Sequence, residues 1–147
     1  MRIRNFFLAL SALLCAIALP GCAVFGETDP VARIAADQKK IEKRVLARWD
    51  AIIAVNFDAV YEFASPAYRQ TYDLVHLKNQ YAAQLKRKRV EIYKTEIDPA
   101  TPDSAKVVVL LYFEAEGGAP GTTFETFSRV VETWVRDGGK WWYVEPR

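Results

Sequence analysis

The amino-acid sequence predicts an α+β domain, in which N-terminal helices pack on one face of a four-stranded antiparallel meander sheet. Two observations support this prediction. Up to about residue 85, apolar residues recur every three or four positions, and signals for helix starts divide the pattern into segments. From residue 90 onward, β-branched and aromatic residues form four runs separated by Gly, Pro and Asp. Helices followed by strands are typical of the α+β class.

The first helix is predicted over residues 30 to 54. Asp29 can accept hydrogen bonds from amide groups at the helix start, and Pro30 suits the first helical position because it has no amide hydrogen to leave unpaired. The face opposite the apolar stripe is expected to be a solvated surface rather than a binding site. The stripe consists of Ile34, Ile41, Val45, Trp49 and Ile52, and the opposite face of Lys39, Lys40, Lys43, Arg44 and Arg48.

Three shorter helices are predicted to follow. Asn56 is expected to end the first helix, and Asp58 to cap a short second one. Ser65-Pro66 again places a capping residue before a proline and is expected to open a third helix. A fourth helix is predicted after Asp73, where apolar residues are spaced three or four apart. The N-terminal half of the domain is therefore predicted to be helical.

The C-terminal half of the domain is predicted to form four strands joined by short turns. The connections contain Asp-Pro, Gly-Gly and Asp-Gly-Gly sequences, which favour turns. Connections of this length join neighbouring strands in opposite directions, so the sheet is expected to be an antiparallel meander. The predicted strands are residues 90–97, 105–116, 122–136 and 140–144.

Residues 1–21 have the pattern of a signal peptide. Two arginines precede an apolar run that is shorter than the about 20 residues of a membrane-spanning helix. The segment Leu19-Pro20-Gly21-Cys22 resembles a bacterial lipobox, in which the cysteine receives a lipid. Residues 22–29 would then be a lipidated tether. Ordinary secretion, with cleavage after Ala23, remains the alternative.

The lipid on Cys22 would insert into a membrane, which would then be the partner of this chain, and would hold the domain close to it. The segment is similar to lipoproteins of Gram-negative bacteria, in which Ala23 rather than Asp after the cysteine implies the inner leaflet of the outer membrane, facing the periplasm. Cys15 is the other cysteine and lies within the predicted signal segment. The mature domain is therefore expected to contain no disulfide and no cysteine-based site.

The charge distribution argues against nucleic-acid binding. Of 20 basic residues, two precede residue 21, and the remaining 18 match the 18 acidic residues. The one basic run, Lys86-Arg87-Lys88-Arg89, is expected to be a solvated helix end, with contact to anionic lipid headgroups as the alternative.

Residues 44 to 144 resemble the nuclear transport factor 2-like superfamily, which includes ketosteroid isomerases. The segments that carry the resemblance are residues 53–56, 58–69 and the hairpin of residues 132–144. The resemblance implies a curved sheet and a cone-shaped domain over residues 30–147, with an apolar pocket inside the cone. It does not select a function, because one fold hosts many.

An isomerase-like site would need a carboxylate base opposite a hydroxyl donor. The candidate residues are Tyr61 or Tyr68 as the donor and Glu132 as the base. The alternative is that both tyrosines are core rings and that Glu132 lies on a solvated strand face. The single histidine, His76, is expected to be a surface or packing residue. No motif for a catalytic triad, a phosphate loop, a metal or a cofactor is present in the sequence.

The segment Val107 to Phe113 is expected to place apolar side chains on both faces of the sheet. The helices can cover only one face. The other face is therefore expected to contact a loop, a second copy of the chain or an envelope protein, and a second copy or a partner protein is the favoured interpretation. The candidate residues for a pocket or an interface are Trp49, Phe63, Phe113, Trp134 and Trp142.

Three functions are compatible with these patterns. The favoured one is a membrane-anchored, periplasm-facing lipoprotein whose domain binds a small apolar ligand or a protein without catalysis. The second is an isomerase-like or dehydratase-like enzyme acting on a hydrophobic substrate. The third is a structural subunit of an envelope complex.

The predicted anchor can be tested with Cys22→Ala, which removes the lipid-accepting sulfur. The variant is expected to retain the signal segment and therefore to run larger than the wild type, and fractionation with immunoblotting measures its size and location. Cys15→Ala, in the same apolar segment, is the matched control and should behave like the wild type. If Cys22→Ala still sediments with membranes at the wild-type size, the lipid anchor is excluded.

Overall fold

A computed structural model describes residues 29–81 and 85–145 of the chain. It confirms the α+β class, with helices first and a four-stranded antiparallel sheet after them. The strands follow one another across the sheet in chain order, as a meander does. The elements are α1 (Pro30–Ile53), α2 (Phe57–Tyr61), α3 (Pro66–Thr71), α4 (Leu74–Gln80), β1 (Lys86–Ile97), β2 (Ser104–Glu116), β3 (Thr123–Asp137) and β4 (Lys140–Val144).

Helix α1 begins and ends close to its predicted limits. The Asp29 carboxylate accepts a hydrogen bond from the amide of Val31 at 3.0 Å, and Pro30 takes the first helical position. The predicted stripe, except the half-buried Ile34, is buried against the sheet and the shorter helices. The opposite face is exposed at its lysines, but Arg48 was assigned to that face wrongly, because it is buried.

A residue in the left-handed conformation ends α1. Val55 has φ of 56°, a region that a β-branched residue adopts only at a cost of about 1–2 kcal/mol. Its amide donates to the carbonyl of Ile52 at 3.1 Å, and the Asn56 amide donates to the carbonyl of Ala51 at 2.9 Å. The pair of bonds satisfies two carbonyl groups at the helix end and reverses the chain.

The capping residue of α2 differs from the prediction. The Asn56 side chain accepts a hydrogen bond from the amide of Ala59 at 3.2 Å, so Asn56 rather than Asp58 caps α2. The next two caps are as predicted, because the Ser65 hydroxyl accepts from the amide of Tyr68 and the Asp73 carboxylate from the amide of His76. Asn56 therefore both follows the reversal and starts the next helix.

Strand β1 begins four residues before its predicted start. The run Lys86–Arg89 was expected at a helix end, but it lies in this strand, where Lys86 pairs with Glu114 of β2. The ammonium groups of Lys86 and Lys88 lie 2.9 and 2.8 Å from the Glu114 carboxylate, and Arg89 contacts Glu91. The Glu114 carboxylate on the neighbouring strand allows this run of basic residues to form a β-strand, because it reduces the repulsion between their like charges.

The two faces of the sheet differ as the pleat requires. Val107, Val109 and Leu111 of β2 point inward and are buried under the helices. On the opposite face, Phe127 and Val131 of β3 are more than half exposed. Apolar residues thus occupy both faces, and none of the described residues covers the outer one. A second copy or an envelope protein on that face stays a prediction.

A short backbone bridge joins the helical half to the last strand. The Tyr143 amide donates to the carbonyl of Phe63 at 2.9 Å, and the Ser65 amide donates to the carbonyl of Tyr143 at 3.2 Å. Ala64 lies between them and is buried. Because these two bonds fix the start of α3 beside the end of β4, side chains from both elements come to line one surface pocket.

The packing of the core allows a prediction of how much stability is lost when a buried side chain on α1 is shortened. Ile41 is fully buried, so Ile41→Ala is expected to lower the free energy of unfolding by about 2–5 kcal/mol. Val31→Ala, on the same helix at a position that is 71% exposed, should change it by less than about 0.5 kcal/mol. Urea denaturation measures both values. Equal effects of the two substitutions would contradict the packing described for α1.

Candidate functional site

A pocket opens between α3, α4 and the end of β4. Its volume is about 770 Å³, within the range of roughly 300–1,000 Å³ that ligand pockets have. The wall combines aromatic rings, hydroxyl groups and one carboxylate. The residues that line it are Ser65, Ala67, Tyr68, Thr71, Tyr72, His76, Gln80, Val144 and Glu145.

Three aromatic rings on α3, α4 and the link between them form one wall. The Tyr68 and Tyr72 ring centres are 5.0 Å apart, and the His76 ring stacks on Tyr72 with centres 4.3 Å apart and planes 21° apart. The caps at Ser65 and Asp73 fix the starts of the two helices that hold the rings in place. The wall therefore presents flat, partly apolar surface to the pocket.

The hydroxyl groups of two tyrosines in this region have different roles. The Tyr61 hydroxyl donates to the carbonyl of Tyr72 at 2.7 Å and so holds the end of α3. The Tyr68 hydroxyl is buried and has no hydrogen-bond partner among the described residues. Tyr68 is therefore the one of these two tyrosines that lines the pocket and has an unpaired hydroxyl.

The floor of the pocket is connected to a buried ion-pair network. Arg48 on α1 donates from Nη1 to Oε1 of Glu132 on β3 at 2.9 Å. Its Nη2 donates to the Tyr81 hydroxyl and lies 3.5 Å from Oε1 of Glu145, the residue after β4. Glu145 also lines the pocket. One guanidinium group thus joins the helical half, the sheet and the pocket floor.

Two aromatic residues complete the surroundings of this network. The Trp134 indole donates from Nε1 to Oε2 of Glu132 at 2.9 Å, so both carboxylate oxygens have partners. The guanidinium carbon of Arg48 lies 3.4 Å from the centre of the Tyr143 ring. The side chains of Arg48, Glu132 and Glu145 are each at most 4% exposed. The charges are therefore held in place and shielded from water.

Burial changes the acidity of the groups in and below the pocket. It raises the pKa of Glu145 above 4.5, although the Arg48 guanidinium opposes this change. Burial also raises the pKa of Tyr68 to about 12, and the negative charge of Glu145 adds to this effect. The Tyr68 hydroxyl therefore keeps its proton at neutral pH and can donate a hydrogen bond.

The structure does not bring the candidate residues Tyr61, Tyr68 and Glu132 together as one isomerase-like site. Glu132 is covered by Arg48 and Trp134, and the Tyr61 hydroxyl is bound to backbone carbonyls. Only Tyr68 lines the pocket. Glu132 also does not lie on a solvated face, because it is 1% exposed.

None of the five aromatic candidates lines the pocket. Trp49 and Trp134 are core residues, and Phe63 and Phe113 are partly buried against the core. Trp142 is half-buried, and the Lys140 ammonium lies 4.3 Å from the centre of its ring. His76, expected at the surface, is indeed exposed, but it is also part of the pocket wall.

Sequence reasoning missed Arg48, Tyr81 and Glu145. Arg48 lies three residues after Val45 and four before Ile52, a spacing that places it on the apolar stripe of α1. This spacing was the available signal for a buried arginine. Glu145 follows the last strand, where no periodic pattern applies.

Within the described residues, no group of three or more His, Cys, Asp or Glu side chains could hold a metal ion. The helices that the structure describes include none with both the length and the apolar character needed to cross a membrane.

No protein-family model matches the chain, and no curated protein matches it. Two solved structures, each with a TM-score of 0.47 and 16% identity over 67% of this chain, are SEC-C motif containing proteins. The protein from Rhodopseudomonas palustris is covered over 70% of its length and the one from Psychrobacter arcticus over 55%.

These comparisons contradict the resemblance drawn from the sequence. Two of the solved structures that match are SEC-C motif containing proteins, and no family model or curated protein supports the nuclear transport factor 2-like superfamily, so that assignment was wrong. The assignment as a lipoprotein has no support among them either. The signal segment and Cys22, on which that assignment depended, lie outside the described residues. At this level of similarity, the SEC-C motif proteins carry no argument about function.

The raised pKa of Glu145 predicts a pH-dependent effect of Glu145→Gln. In the folded protein this carboxyl loses its proton at a higher pH than in the unfolded chain, so its contribution to stability is present at low pH and is lost as the pH rises above 4.5. As the pH rises, the free energy of unfolding of Glu145→Gln, measured by urea denaturation, should therefore increase relative to that of the wild type.

Glu116→Gln, at the exposed end of β2, is the matched control for the same carboxyl-to-amide change and should show no such trend. If the wild type instead gains stability over Glu145→Gln as the pH rises, attraction to Arg48 outweighs burial at Glu145.

Proposed function

We propose that this domain binds a small organic molecule in the pocket between α3, α4 and the end of β4, without chemical conversion of the ligand. The observation that carries the proposal is the pocket itself. It has a volume of about 770 Å³, a wall of aromatic rings and a floor at Glu145. A concave, largely apolar surface with a few polar groups is typical of small-molecule sites.

The wall and the floor suit different parts of a ligand. The rings of Tyr68, Tyr72 and His76 offer flat surface on which an apolar body can stack. The buried Tyr68 hydroxyl and the Glu145 carboxylate offer one donor and one acceptor, which can fix the orientation of a polar group. The ligand we infer is amphipathic rather than purely apolar.

The surroundings of the carboxylates support binding more than catalysis. Glu132, the expected base, accepts hydrogen bonds from both Arg48 and Trp134 and does not line the pocket. Glu145 does line it, but one of its oxygens faces the Arg48 guanidinium. Catalysis by a carboxylate base needs that group within reach of a substrate proton, and the network instead holds Glu132 as a structural charge.

The pocket can be tested by blocking it. A fragment library is screened by NMR against the isotopically labelled domain, and binders are expected to shift amide signals of Ser65, Thr71 and His76. Ala67→Trp places a large ring at the pocket wall and should abolish these shifts. Ala119→Trp, an equal change at an exposed loop position, is the matched control and should preserve them.

Two outcomes would contradict the proposal. One is that no fragment shifts pocket signals in the wild type. The other is that Ala67→Trp, while folded, binds the same fragments as the wild type does.

A further inference from the structure

The pocket has an acidic character. None of its lining residues is a lysine or an arginine, and Glu145 is its one carboxylate among the residues that line it. The nearest cation in the network, Arg48, is fully buried beneath the floor and does not line the pocket. Of the three charged residues in the network, Glu145 is therefore the one that lines the pocket.

The buried charges below the pocket do not balance. Arg48 supplies one positive charge, and Glu132 and Glu145 supply two carboxylates. The guanidinium lies 2.9 Å from Glu132 but 3.5 Å from Glu145, so it pairs more closely with Glu132. The less well paired carboxylate belongs to Glu145, the residue that lines the pocket. A proton or a cation is needed to neutralise it in a site with little water.

A second carboxylate acts on the same region. Asp73, which caps α4, and Glu145 both add to the effect of burial in raising the pKa of Tyr68 to about 12. Two negative charges from different elements therefore act at the Tyr68 hydroxyl. These two negative charges favour a positive group over a negative one beside the Tyr68 hydroxyl.

The aromatic wall favours the same charge. The faces of tyrosine rings carry partial negative charge and attract ammonium groups, more strongly where water is excluded. The Tyr68 and Tyr72 rings are 5.0 Å apart and tilted by 44°, so they form two sides of a corner. Tyr72 is 41% exposed, which leaves part of its ring accessible to a ligand.

We propose that the ligand carries a protonated amine or a quaternary ammonium group, which binds between the Tyr68 and Tyr72 rings and the Glu145 carboxylate. The inference rests on the proposed function and adds the charge of the ligand to it. The apolar body of the same molecule would lie along the His76 side of the wall.

Three probes of similar size and different charge test the inference. Benzylammonium, benzyl alcohol and benzoate are titrated by NMR into the labelled domain at about pH 8, where the first is a cation and the last an anion. Benzylammonium is expected to bind about tenfold more tightly than benzyl alcohol, and benzoate more weakly than both. The amide signals of the pocket residues report where each probe binds.

Variants identify the groups responsible. Glu145→Gln is expected to reduce the ratio of cation to alcohol affinity to about twofold or less, and Tyr72→Leu is expected to lower the same ratio without altering the buried network. Glu116→Gln, at the exposed end of β2, is the control for loss of a carboxylate and should keep the wild-type ratio. If Glu145→Gln does not fold, Tyr72→Leu decides the question.

The outcomes separate this inference from the proposed function. If benzyl alcohol or benzoate binds the pocket as tightly as benzylammonium, or Glu145→Gln and Tyr72→Leu both keep the preference, the inferred ligand charge is wrong while the pocket remains a binding site. If none of the probes binds but fragments from the screen do, the ligand charge is again wrong. If neither probes nor fragments bind, both proposals fail.

Discussion

One guanidinium group, that of Arg48, connects α1 with β3, with Tyr81 after α4 and with the residue after β4. Its side chain is 2% exposed, so its charge is stable in the fold only because carboxylates and aromatic rings surround it. Each of these partners has to be positioned before the cost of burying the charge is offset. The relative placement of the helices, the sheet and the chain segment after β4 therefore depends on this group.

The same network reaches the floor of the pocket through Glu145. Arg48 holds Glu132 away from the pocket and leaves Glu145 at the pocket floor. The aromatic wall comes from α3, α4 and the residues between them, which the Asp73 and Ser65 caps and the bridge to Tyr143 hold beside the end of β4. In the ligand-binding role proposed above, the buried charged floor and the separately capped aromatic wall would be in place before a ligand arrives.

Much of the fold could be predicted from the sequence, because its signals are local. Asp29, Ser65 and Asp73 cap helices as expected, and the glycine-containing connections separate strands near the predicted limits. The site could not be predicted, because it depends on contacts between distant residues. The Arg48 and Glu132 pair spans 84 positions, and a charge at a stripe position was interpreted as exposed. The family resemblance misled for the same reason, since shared patterns of helices and strands do not identify a family.

The reversal at Val55 has a consequence for how the stability of α1 and α2 is coupled. A β-branched residue enters the left-handed region only where its surroundings compensate for the strain. Here the compensation comes from Asn56, which caps α2, and from Val60, which is buried in the core. The end of α1 in isolation would fray rather than turn back. A substitution that undocks α2 is therefore expected to release the corner at Val55 as well.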